Sequence, residues 1–244
     1  MIDNETVKKL HLLQELRNSI NLIKLGFGEI QKINMENDFY HLPLQILSSG
    51  IERFLKCYLC LGYHEKNDEF PNFDQLKFFG GKTGHGIIEL KEEVINNYFL
   101  LRNEKDEFLK EDKNFIKNNQ KLNTLLHLLS EFGKYSRYYN LDVVTSKRNP
   151  SLNVEQEWKD FETILLKENQ SVYKRFFSVN VKFSNEGYNY INSRIVALLE
   201  KFIRGLARQF TFVDLGELAK SFSGDIFFFL KIKDEDLGKK NYDE

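Results

Sequence analysis

Residues 42–63 read LPLQILSSGIERFLKCYLCLGY. Residues three and four apart share one face of a helix, so Gln45, Ser49, Glu52 and Lys56 fall into a narrow polar file. Ile46, Leu47, Ile51, Phe54, Leu55, Tyr58 and Leu59 occupy most of the remaining circumference. A helix apolar on so many sides must be covered by neighbouring helices, which places this segment at the centre of a helical bundle.

The rest of the chain supplies suitable neighbours. Its 244 residues have a hydrophobic fraction of 41%, enough for a core, and an aromatic fraction of 14%, with 22 Phe and 11 Tyr. Only 3 prolines occur, which suits long unbroken helices. The formal net charge is -1, so binding to nucleic acid or an anionic membrane would need a local basic patch. No segment is apolar for long enough to span a bilayer, and the start of the chain, with Asp3 and Glu5, resembles neither an export signal nor an anchor. Cys57 and Cys60 form a C-x-x-C without a second pair or a histidine at ligand spacing, so buried packing thiols are expected rather than a metal or redox site. A chain without a disulfide framework is expected in the cytoplasm. Gly-rich phosphate loops, nucleophile elbows and HExxH or EF-hand patterns are absent, and no cofactor is expected.

Helical spacing predicts a first helix over Glu5 to Leu25, interrupted by Gly26 and Gly28, and the central helix ending near Gly62. Asp38 is a candidate cap for the central helix, and Pro43 fits its first turn. A Gly-, Asn- and Asp-rich loop then leads to a helix beginning near Thr83 to Gly86 and running to Leu101. The charged passage that follows delivers the chain to another helix, carrying Leu122, Leu125, Leu126, Leu129 and Phe132. Asn149-Pro150-Ser151 marks a boundary, giving a bundle over 1–150 and an extension over 151–244. In the extension, Val154, Trp158, Phe161 and Leu165 repeat at i, i+4, i+7 and i+11, making the single Trp a core anchor. SVYKRFFSVNVKFSNEG reads as a short strand or extended turn before a long helix over Tyr188 to Arg208.

SSGIERFLKCYLCLGYH followed by TGHGIIELKEEV resembles the second and third helices of HEPN domains, helical bundles found among prokaryotic defence and toxin proteins. Glu52 and Lys56 match the Glu and Lys of that pattern, and Gly84-His85 match the Gly-His pair that opens its next helix. The resemblance covers roughly Asp38 to Asp142, and ALLEKFIRGLARQF with DLGELAK is similar to the tails of bacterial proteins that carry such a bundle. It implies an all-α fold, a homodimer, and association with RNA or a nucleotide. Many members are metal-independent ribonucleases with an Arg, usually followed by a polar residue, and a His separated from that Arg by four to six residues. The guanidinium holds the scissile phosphate and the imidazole moves a proton of the ribose 2′-hydroxyl. Arg102-Asn103 matches the start of that motif, but Glu107, Phe108 and Leu109 stand where its histidine would be.

Arg137 also lacks a following histidine, although Arg137-Tyr138-Tyr139-Asn140 offers a cation beside aromatics for phosphate and base, or simply the end of a helix. His127 is the alternative source of an imidazole. Arg194, Lys201, Arg204 and Arg208, spaced by seven, three and four, form a file that either tracks a nucleic-acid backbone or is an ordinary solvated face. The expectation is therefore an all-α, HEPN-like bundle with a helical C-terminal extension. Its catalytic candidates are Arg102, Asn103, Arg137 and Glu52, and its nucleic-acid-binding candidates are Arg137, Tyr138, Arg194, Lys201, Arg204 and Arg208. Ribonuclease activity stays open, and a non-enzymatic dimerisation or interaction module is the alternative.

Overall fold

The computed structural model describes residues 4–99, 107–178, 180–211 and 215–243. The described residues form an all-α bundle containing no strand. Its first two helices, α1 (Glu5–Gln31) and α2 (His41–Asn67), pack closely along their lengths. On α2, Leu47, Ile51, Phe54, Leu55, Tyr58 and Leu59 have no exposed surface, as the apolar circumference demands. Full burial of such a side chain contributes roughly 1.5–3 kcal/mol.

The glycines in these helices are packing notches, contrary to the expected interruptions. A Cβ on Gly26 would lie 2.5 Å from Leu47 Cδ2, and one on Gly28 would lie 2.7 Å from the Tyr242 carbonyl oxygen. Close approach of another element, rather than a break in the helix, accounts for both residues. Gly62 likewise faces Tyr98, and α2 continues past it to end at Asp68, a left-handed residue with φ 57°. Pro43 sits in the first turn of α2 as expected, whereas the N-cap is Tyr40 rather than Asp38.

The loop after α2 holds a short helix, α3 (Phe73–Phe79), closed by a reciprocal Asn72–Gln75 capping box. Next come α4 (Ile87–Glu93) and a π-helical turn, Val94–Tyr98. Arg102 and Asn103 lie outside the described residues. The charged passage contains a helix that its charge concealed, α5 (Glu107–Asn118), which buries Leu109, Asp112 and Ile116. Then α6 (Gln120–Lys134) places Leu122, Leu125, Leu126, Leu129 and Phe132 in the core. A 3-10 turn, Ser136–Tyr138, joins α6 to α7 (Tyr139–Val144).

Beyond Pro150, α8 (Val154–Lys167) buries Trp158 completely. The stretch expected to hold a strand or extended turn is helical: α9 (Gln170–Phe176) is capped by Asn169, and α10 (Val181–Thr211) starts well before Tyr188. Phe176 packs the two helices together, because its ring lies where a side chain on Gly187 would stand. The chain ends with α11 (Glu217–Ser221), α12 (Ser223–Leu230) and a 3-10 turn at Asp234–Asp236. A continuous apolar core runs from Leu16 on α1 to Ile232 after α12, so both sides of Pro150 contribute to it. No helix among the described residues is long and apolar enough to cross a membrane.

Candidate functional site

The polar file of α2 does not face open solvent. Gln45, Ser49, Glu52 and Lys56 form one side of a cavity of about 390 Å3, whose other walls include His85, Gly133 and Arg137. His85 arrives from the GGKTGHG turn between α3 and α4. There Gly81 and Gly84 adopt positive φ, Gly86 N–H donates to Gly80 O, and His85 N–H donates to Thr83 Oγ1. Glycine is needed at those two φ values, so this turn is how the sequence aims an imidazole back at α2.

Glu52 is the hub. Its Oε1 accepts from Lys56 Nζ at 2.7 Å and lies 2.8 Å from His85 Nδ1. Glu52 is mostly sheltered while His85 remains more than half exposed, so the carboxylate is fixed from below and the ring reaches solvent. With Nδ1 directed at a carboxylate, Nε2 is the nitrogen left to exchange a proton with a ligand.

Arg53 also enters the cavity, donating from Nη1 to Glu15 Oε1 at 2.5 Å and from Nε to Ser49 Oγ at 3.3 Å. Arg137 projects from the turn after α6, where Nη2 donates to Gly133 O at 2.8 Å. That bond finishes the helix C-terminus, and no carboxylate pairs with Arg137 among the described residues. Three basic side chains, Arg53, Lys56 and Arg137, therefore line the cavity against two carboxylates, Glu15 and Glu52, each already ion-paired. The balance favours an anionic ligand, with Arg137 the cation readiest to accept it.

Of the residues singled out in the sequence, Glu52 and Arg137 are brought together. Tyr138 is exposed beside Arg137, Tyr139 is half-buried, and Asn140 is exposed. His127 points outward from α6 and is not among the residues lining this cavity. The basic file of α10 is only partly the solvated face that its spacing describes, with Arg194 its exposed member. Arg204 is 2% exposed and bonds Ile232 O and Asp234, clamping the C-terminal tail. Arg208 pairs with Asp112, Arg194 with Glu168, and Lys201 lies over the Phe115 ring. Spacing located their shared side of the helix but not the polar partners that other elements bring to it.

Sequence reasoning passed over Arg53, Glu15 and the coupling of His85 to Glu52. The signal for His85 was present in the glycines around it, since a turn so built orients its one imidazole. Cys57 and Cys60 are unpaired thiols, and burial pushes Cys60 up to about 12, which suits a packing role. Among the described residues no group of His, Cys, Asp and Glu side chains is arranged to hold a metal ion. The chain matches no protein-family model, and no curated protein or solved structure shows significant similarity to it.

Proposed function

We propose that this chain is a HEPN-like, RNA-associated protein of the prokaryotic defence kind, acting in the cytoplasm, in which His85 supplies the imidazole missing after Arg102. The observation that carries the reading is the 2.8 Å approach of His85 to Glu52 in the cavity that Arg137 also lines. In this reading His85 takes the proton of a ribose 2′-hydroxyl as that oxygen bonds to phosphorus. The bond from phosphorus to the 5′-oxygen breaks, water protonates the departing oxygen, and the imidazolium returns its proton to solvent. The products are a 2′,3′-cyclic phosphate and a 5′-hydroxyl. Arg137 and Lys56 stabilise charge on the phosphoryl oxygens, and Glu52 holds the ring. Arg102 and Asn103 keep their motif-based candidacy as further phosphate contacts.

The test is cleavage of a mixed RNA pool. His85→Ala lowers the rate about 100-fold or more while leaving the helical circular dichroism unchanged. Cleavage by this variant at the parental rate overturns the assignment, and a parent that neither cleaves nor binds RNA overturns the function.

One observation favours a second reading, a dimerisation or interaction module. Helix α7 exposes Leu141, Val143 and Val144 next to the exposed Tyr138, a small apolar face suited to a second copy of the chain. Under that reading Val144→Asp converts a dimer to a monomer in sedimentation, and RNA binding is absent.

A further inference from the structure

The polar cavity has an apolar neighbour. Between α1, α2 and the start of α3 lies a second cavity of about 680 Å3, walled by Val7, Leu12, Cys57, Cys60, Phe70 and Leu76. Glu15, Arg53 and Lys56 line both spaces, so the cavities adjoin and the Glu15–Arg53 ion pair stands between them. Lys8 and His11 add basic groups to the lining of the apolar chamber. Ligand pockets typically enclose about 300 to 1,000 Å3 with apolar walls and a few convergent polar groups. Each chamber falls in that range, and the pair divides the two qualities between them.

Building on the RNA-associated reading of the polar cavity, we propose that the two chambers form one nucleotide site, with the phosphate among Arg137, Lys56 and His85 and the base in the apolar chamber beside Phe70. A free anion leaves the apolar wall unused, and an uncharged apolar molecule leaves the cations unused. A nucleotide joins a flat apolar ring to an anionic group and satisfies both. The Cys60 thiol, held neutral by burial, acts as wall rather than as a nucleophile. Arg53 and Lys56, which reach both chambers, stand where the sugar connects the two parts.

The experiment is calorimetric binding at low salt of AMP, UMP, ribose 5-phosphate and adenosine to the full chain. At least one nucleotide binds about tenfold or more tightly than ribose 5-phosphate and adenosine. Leu76→Trp and, separately, Cys60→Trp fill the apolar chamber and abolish that advantage while leaving ribose 5-phosphate binding unchanged; either folded variant suffices. Equal affinity of nucleotide and ribose 5-phosphate in the parent overturns the base chamber and leaves the phosphate-binding reading standing. If no phosphate compound binds the parent, the inference falls, and His85-dependent RNA cleavage decides separately whether the underlying reading falls with it.

Discussion

Arg208 on α10 donates from Nη1 to Asp112 Oδ2 on α5 at 2.7 Å, and the two partners are buried unequally. Asp112 is 2% exposed, whereas the Arg208 side chain keeps 23% of its surface in solvent. Burial pushes the Asp112 carboxyl above its ordinary value, and the guanidinium pulls it back. Removing the arginine strands a carboxylate in the core, while removing the aspartate leaves a cation that can turn to water. Arg208→Ala therefore destabilises by about 3 kcal/mol and Asp112→Ala by clearly less, with the double variant more stable than Arg208→Ala alone. Urea midpoints check this order, and equal losses for the two single variants would sink it.

Glu162 on α8 gives a pH signature. It accepts from Tyr40 Oη at 2.8 Å and Trp158 Nε1 at 3.1 Å. Burial nevertheless raises its carboxyl from 4.5 to about 7, with those two hydrogen bonds and Lys159 only partly opposing the shift. The folded state thus holds a proton that the unfolded chain releases near its ordinary value. The contribution of this group is complete below pH 4.5 and disappears as pH rises through about 7. The loss is on the order of 3 kcal/mol across that window. Glu162→Gln cannot ionise, so its urea stability falls less than the parent's between the two pH values. Parallel curves for parent and variant would contradict the assignment.

Glycine substitutions separate notch from hinge. Alanine normally improves a helix interior over glycine by about 1 kcal/mol. At Gly28 the new methyl meets the Tyr242 carbonyl, a backbone atom that cannot turn aside. That collision forces the tail away from α1 and weakens the hydrogen bonds from Tyr242 N–H to Gln31 at 2.9 Å and from Tyr242 Oη to Glu200 at 2.5 Å. Gly28→Ala consequently costs about 1–3 kcal/mol. Gly133→Ala meets only Ser48 at ordinary van der Waals distance and is neutral or stabilising by less than about 1 kcal/mol. Thermal melts of both variants report the signs, and a stabilising Gly28→Ala would rule out the notch.

Helix interiors and meetings between distant elements differ in how far a sequence discloses them. Apolar periodicity identifies α2, α6, α8 and most of α10, because a buried stripe is a local property of a helix. It places Trp158 in the core for the same reason. Gly26 and Gly28 have no such local reading: a packing notch and a helix end use the same residue, and the difference lies in Leu47 and Tyr242, far along the chain. The candidate site has the same character. The Glu52–Lys56 pair follows from spacing alone, but His85 reaches Glu52 only through the glycine turn, and Arg137 joins them only because α6 packs on α2.

Under the proposed RNA-associated reading, the salt dependence of RNA binding discriminates the cavity from the α10 file. Removing one cation that neutralises a phosphate of a single strand makes the slope of log affinity against log salt shallower by about 0.7. Arg137 has a carbonyl partner and no carboxylate among the described residues, so its charge is available to phosphate. Arg194 is compensated by Glu168, and neither it nor Lys201 lines the cavity. Arg137→Ala should therefore make the slope shallower by about that one increment, while Arg194→Ala and Lys201→Ala leave it at the parental value. Arg204→Ala is unsuitable for this comparison, because it unties the tail at Ile232 and Asp234 and loses stability before it reports on binding. If Arg194→Ala and Lys201→Ala change the slope and Arg137→Ala does not, the backbone runs along α10 and the cavity holds no RNA phosphate.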